Sequence, residues 1–149
     1  MKTTPTNSSI KFIKWLSAAD MHNNTKEWLS ELEFIKVEHL FLDNIINSFA
    51  LQLIDETYFS DSKKVIEALN TSAKENEKLI KVIRKHENDL KIMVDDINQL
   101  KEEEDYKDEH RNCTVIIHKF LKDYRLLKEE LFDIIKSIKK TQKQKRLIN

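Results

Sequence analysis

Five histidines and one cysteine are the side chains here best suited to hold a metal or exchange a proton, and two of the histidines stand out by position. His39 and His86 each occupy a place in a helical seam where an apolar residue is the rule. Helical bundles build metal and haem sites from inward histidines and carboxylates. Glu38, Asp43, Glu87 and Asp89 supply carboxylates beside them. His39 and His86 are therefore the candidate metal or haem ligands. A first interhelical turn centred near residue 60 makes His39 face residues 80 to 82, and a turn placed slightly later brings the two histidines level.

The donor pattern around them is sparse. Di-iron bundles carry a Glu-x-x-His pair on each of two helices. The residues three before each histidine are Ala19, Lys36, Ile83, Lys107 and Val115, so that pair never occurs. His39 with Asp43, and His118 with Asp123, resemble the His-carboxylate spacings of hemerythrin-like bundles over those four residues only, and no family is assigned. The expected role of both seam histidines is structural, each bonded to Tyr124, Asn76 or a carboxylate across the seam, and leucine at either position is expected to be neutral or stabilising.

Cys113 excludes an internal disulfide and any cysteine-based zinc site. A reactive thiol needs a depressed pKa and some exposure, which His110 one turn earlier could help supply. Its seam position reads instead as a small buried hydrophobe. The carboxylate runs Glu102–Asp105, Asp95–Asp96 and Glu129–Glu130 read as solvated faces.

These side chains must be placed by helices, because not one glycine occurs and the only proline is Pro5. Hairpins, phosphate loops and nucleophile elbows need glycine at positive φ. Residues 1–23 read as a polar tail and a short amphipathic arm capped by Ser9, carrying Ile10, Phe12, Ile13, Leu16 and Ala19, with Met21–Asn24 as linker. The helical bundle is then 24–149. Asn24 and Glu27 have capping-box spacing. Trp28, Leu32, Ile35, His39, Leu42, Ile46, Phe49 and Leu53 follow at 4-3 spacing. Leu29, Phe34, Val37, Phe41 and Ile45 widen the apolar surface beyond that seam.

Tyr58–Ser62 is the expected turn, with a second helix from near Ser62 that runs through Asn70–Ser72 and carries Leu79, Ile80, Ile83, His86, Leu90, Met93, Ile97 and Leu100. The acidic run at 102–105 is expected at its C-terminus. Asp108 is expected to cap a third helix with the seam Cys113, Ile117, Phe120, Tyr124, Leu127, Leu131, Ile134 and Ile138. Lys136, Lys139, Lys140, Lys143, Lys145 and Arg146 crowd its last turns.

The expected fold is all-α: three long antiparallel helices, bundle- or coiled-coil-like, with a short N-terminal helical arm. Net charge is zero and arginine is limited to Arg84, Arg111, Arg125 and Arg146, so nucleic acid is not an expected partner. No apolar run reaches the ~18–20 residues of a membrane span. The lone cysteine is compatible with a reducing compartment, and with the polar start the cytoplasm is the expected location. The leading functional expectation is a non-enzymatic interaction or scaffold protein without a cofactor, forming a homo-oligomer or binding a partner helix. The second is a bundle holding a metal or haem through His39 and His86. The third is a charge-driven adaptor using the basic C-terminal end.

Overall fold

The computed structural model describes residues 17–95 and 100–148. Of the described residues 94% are helical, with no strand among them. Four helices follow one another: α1 (Ala18–Ser48), α2 (Ala50–Leu53), α3 (Phe59–Asp95) and α4 (Leu100–Ile148). The three long ones pack against each other, so the expected all-α bundle is what the chain forms. Most of the N-terminal arm lies outside the described residues, and Ala19, the last apolar residue of its expected face, is already part of α1.

The linker expected at Met21–Asn24 is helix instead. The cap sits at Ser17, whose Oγ accepts the Asp20 backbone N–H at 3.1 Å while the Asp20 carboxylate accepts the Ser17 N–H at 3.3 Å. That reciprocal pair satisfies two donors the first turn would leave orphaned. Asn24 and Glu27 therefore lie inside α1, and the boundary expected between residues 23 and 24 falls within it. Packing explains the shift, because Met21 and Thr25 carry the 4-3 pattern backward from Trp28 and both are buried. The Thr25 hydroxyl donates to the Met21 carbonyl at 2.7 Å, so its burial leaves no polar atom stranded.

Between α1 and α3 the chain turns earlier than Tyr58–Ser62. Phe49 interrupts the helix, and α3 starts at Phe59. Asp55 does the work glycine usually does: its Oδ1 accepts the Thr57 N–H at 3.0 Å, and its carbonyl accepts the N–H groups of Tyr58 and Phe59 at 2.9 Å. Among the described residues none has positive φ. α3 passes unbroken through Asn70–Ser72, as expected, with Ser72 on its buried side.

The acidic run is not a helix C-terminus. Glu102 and Glu103 lie in the first turn of α4, where the macrodipole favours carboxylates. Leu100 opens that helix rather than closing α3, and Asp108 is an interior residue paired with Arg111. No helix among the described residues is long and apolar enough to cross a membrane.

The chain divides into two compact units, each built from a stretch of all three long helices. Unit 1 takes the described parts of Met1–Glu33 and Lys78–Lys119. Within it His22 pairs with Glu87, whereas Glu33, further along α1, pairs with Arg84, earlier in α3. Those pairs make α1 and α3 antiparallel. Its core joins Met21, Leu90 and Tyr106 in one cluster and also buries Leu32, Ile83, Cys113 and Ile117. Unit 2 takes the described parts of Phe34–Glu77 and Phe120–Asn149 and buries aliphatic seam residues such as Leu42, Leu69 and Leu131 together with His39, Asn76 and Tyr124.

Candidate functional site

The most concentrated chemistry lies in unit 1, around a histidine pair. His110 is carried on α4 one turn after Tyr106 and one before Cys113, in line with the seam residues that follow. His86 Nε2 and His110 Nδ1 lie 2.9 Å apart, with both residues 1% exposed. Asn24 Nδ2 stands 3.3 Å from His110 Nε2. An amide NH2 can only donate, so with this orientation His110 Nε2 accepts and the proton sits on Nδ1. His110 Nδ1–H then donates to His86 Nε2, and the His86 proton sits on Nδ1, which has no partner.

Aromatic faces close the cluster. Tyr106 stacks on His86 with ring centroids 4.2 Å apart and planes 3° apart, and Trp28 stacks on His110 at 4.8 Å. The Tyr106 hydroxyl donates to the His86 carbonyl at 3.0 Å. Burial lowers the pKa of both imidazoles, most for His110, which falls to about 4 under the added repulsion of His86. Glu109, Asp89 and Glu87 oppose that shift at His86. Burial also pushes the Tyr106 phenol above its usual range and the Cys113 thiol up to about 11. At neutral pH the cluster is an uncharged polar core, and Cys113 is a protonated, buried side chain.

His39 belongs to unit 2 and has a different neighbourhood. Its ring meets the edge of Tyr124 at 5.0 Å and 61°, and its Nε2 has no hydrogen-bond partner. The expected bond to Tyr124 is not made, because the Tyr124 hydroxyl donates to Glu38 Oε1 at 2.6 Å. Lys128 Nζ reaches the same carboxylate oxygen at 2.7 Å and lies 5.0 Å from the Tyr124 ring centroid. Burial raises the Glu38 pKa, but the Lys128 and Tyr124 hydrogen bonds outweigh it and hold the carboxyl below its ordinary value. Desolvation lowers the His39 pKa, with Asp43 and Glu38 opposing.

The two sequence candidates thus have separate partners: Tyr124 for His39, and Tyr106 with His110 for His86. Among the described residues no group of three or more His, Cys, Asp or Glu side chains could hold a metal ion. Tyr106 is a member the sequence reading leaves out, and His110 enters that reading only as a neighbour of Cys113. Their signal was the 4-3-4-3 run Tyr106, His110, Cys113, Ile117, Phe120, which the supposed cap at Asp108 concealed.

A third feature is an unfilled surface. Phe34, Val37, Leu40 and Phe41 line one side of α1 in unit 2 and are 59 to 65% exposed, while Ile35, His39 and Leu42 on the other side are buried. The chain matches no family model, no curated protein and no solved structure.

Proposed function

We propose that this protein is a non-enzymatic helical interaction module that self-associates through the exposed apolar side of α1. The carrying observation is the contiguous set Phe34, Val37, Leu40 and Phe41, each more than half exposed although two are phenylalanines. Scattered exposed apolar residues are ordinary, but a contiguous patch on one helix marks an interaction surface. Its spacing is self-complementary. A twofold axis crossing the helix at Val37 sets Phe34 of one copy against Leu40 and Phe41 of the other, as an isologous interface requires. Zero net charge leaves no long-range repulsion between copies.

The chemistry of the buried groups supports the non-enzymatic part. The imidazoles of His86 and His110 are bonded to each other and to Asn24, and both rings, the unpartnered His86 Nδ1 included, are buried out of reach of a substrate. The Cys113 thiol, raised to about 11, is a poor nucleophile at neutral pH. A single buried cysteine also suits the cytoplasmic location that goes with this reading.

Sedimentation velocity across a dilution series tests the proposal on the parent and on F34S/F41S, both changes lying at exposed positions. The parent is expected to shift from dimer to monomer on dilution, and the variant to remain monomeric with an unchanged helical spectrum. A parent that stays monomeric at its highest soluble concentration refutes self-association.

A further inference from the structure

We propose that the exposed basic face of the last turns of α4 docks on a bilayer surface rich in anionic phospholipid. Phe132, Lys136, Lys139, Lys143 and Arg146 recur at 4-3-4-3 spacing, and Lys140 and Leu147 lie one turn on from Lys136 and Lys143. That spacing puts them on one side of the helix. All are exposed, and they form a stripe that flanks the buried side made by Leu131, Ile135 and Ile138. From Lys136 to Ile148 there is no acidic residue, and no ion pair among the described residues engages Lys136, Lys139, Lys140, Lys143 or Arg146.

The helix dipole does not account for this face. Its influence is confined to the final turn, which holds Lys145 and Arg146, whereas four lysines of the set lie before it. Lys145 itself points elsewhere, beside Asp55, Tyr58 and Thr141 around a cavity of about 340 Å³.

Phospholipid fits better than the other polyanions. The stripe contains one arginine and four lysines, so it offers point charges rather than the planar forks used to read bases. No aromatic residue follows Phe132 to stack on bases. Leu147 and Ile148 are 78% and 84% exposed directly after the cations, and Phe132 precedes them in the stripe. Cations with adjoining apolar side chains match a charged headgroup layer above acyl chains. The acidic start of α4 in a second copy is a weaker match, because its Glu103 is already paired with Lys107. This face is separate from Phe34–Phe41, so the inference does not depend on the proposed self-association.

Co-sedimentation of the full chain with phosphatidylserine–phosphatidylcholine vesicles, against phosphatidylcholine alone, is the test. Binding is expected only to the anionic vesicles and is expected to weaken steeply with salt. K136Q/K139Q/K143Q should lower the partition coefficient on the order of a hundredfold. L147S/I148S should lower it about tenfold while leaving any heparin binding unchanged. Equal binding to both vesicles, or an unaffected triple-glutamine variant, overturns the proposal. Heparin binding as tight as vesicle binding, with L147S/I148S silent on vesicles, overturns it in favour of a general polyanion surface. The F34S/F41S variant should bind vesicles through the same residues.

Discussion

Units 1 and 2 use the same three helices and bury their polar groups differently: unit 1 couples its imidazoles to each other, and unit 2 disperses its polar side chains along the seam. Unit 1 encloses two coupled imidazoles between Trp28 and Tyr106, with a donor on His86 left without a partner. Unit 2 encloses aliphatic side chains, the aromatic pair Phe120 and Tyr124, one imidazole and the separate polar residues Ser62, Ser72 and Asn76, and keeps its contact of Glu38 with Tyr124 and Lys128 part-buried. A coupled polar core constrains register more tightly than an apolar seam. Leucine packs acceptably against leucine in several registers, whereas His110 is satisfied only when Asn24 and His86 arrive at the same level. Unit 1 is the part that specifies alignment, and it is also the part that acid attacks.

That asymmetry sets the largest expected effect. His86 and His110 have folded pKa values below the unfolded value of about 6.5. A group held neutral by the fold contributes full stability above its unfolded pKa, and loses it as pH falls toward the folded value. Unit 1 should therefore weaken from about pH 6.5 down to about pH 4, by a few kcal/mol in all. Glu87, Asp89 and Glu109 reduce the loss without cancelling it. Unit 2 loses the smaller share due to His39 in the same window. Its Glu38, whose folded pKa is depressed, adds a loss only below about pH 4.5. Hydrogen exchange at pH 7 and pH 5, corrected for intrinsic rates, should show protection falling more around residues 104–117 than around 124–138. Equal losses in the two stretches would falsify the comparison.

Single substitutions sharpen it further. The histidine replacements look equivalent in the sequence and are not equivalent in the structure. H86L strands the His110 Nδ1–H in a dry core and should cost about 1–3 kcal/mol. H86L/H110L removes both partners and should recover most of that loss while abolishing the acid window, because Asn24 is only half-buried and can turn to water. H39L should be neutral or stabilising by up to about 1 kcal/mol, since His39 Nε2 already lacks a partner. Chemical denaturation of the three variants measures all of this. A costly H39L beside a silent H86L reverses the assignment of roles.

How far the sequence could go is clear from the same residues. Apolar period alone located Leu32, Leu42, Ile117 and Leu131, all essentially inaccessible in the fold, and flagged His86 as a buried histidine. It could not supply His86's partner, because partners depend on register between helices, and register depends on where the turn closes. Each residue by which a turn is misplaced moves the facing residue by two. Asp55 closes the turn earlier than residue 60, so Lys36 already meets Glu77 and His39 faces α3 before that point rather than at 80–82. At the other connection a run of carboxylates reads equally well as a poor helix end or a good helix start, and only the dipole distinguishes them. Taking the wrong one leaves Tyr106 outside the third helix and His110 at its first turn, ahead of the expected seam.

The smallest expected effect belongs to unit 2. Y124F removes the donor to Glu38 and keeps the ring that His39 and Phe120 contact. A hydrogen bond to a carboxylate contributes more than a neutral one, but Glu38 keeps Lys128 as a partner and remains partly open to water. The loss should therefore be about 1 kcal/mol, near the lower end for a charged acceptor. Its pH signature separates it from the imidazole effect. With the phenol gone, the Glu38 pKa should rise toward its ordinary value, so the small acid loss of unit 2 below about pH 4.5 should shrink. The unit 1 loss between pH 6.5 and 4 should be unchanged. Carboxyl titration of Glu38 by NMR, in parent and Y124F, reads the first effect, and Trp28 fluorescence reads the second once W15F removes the other tryptophan of the sequence. A Y124F variant whose Trp28 response to acid is altered would mean that the two polar clusters are coupled rather than independent.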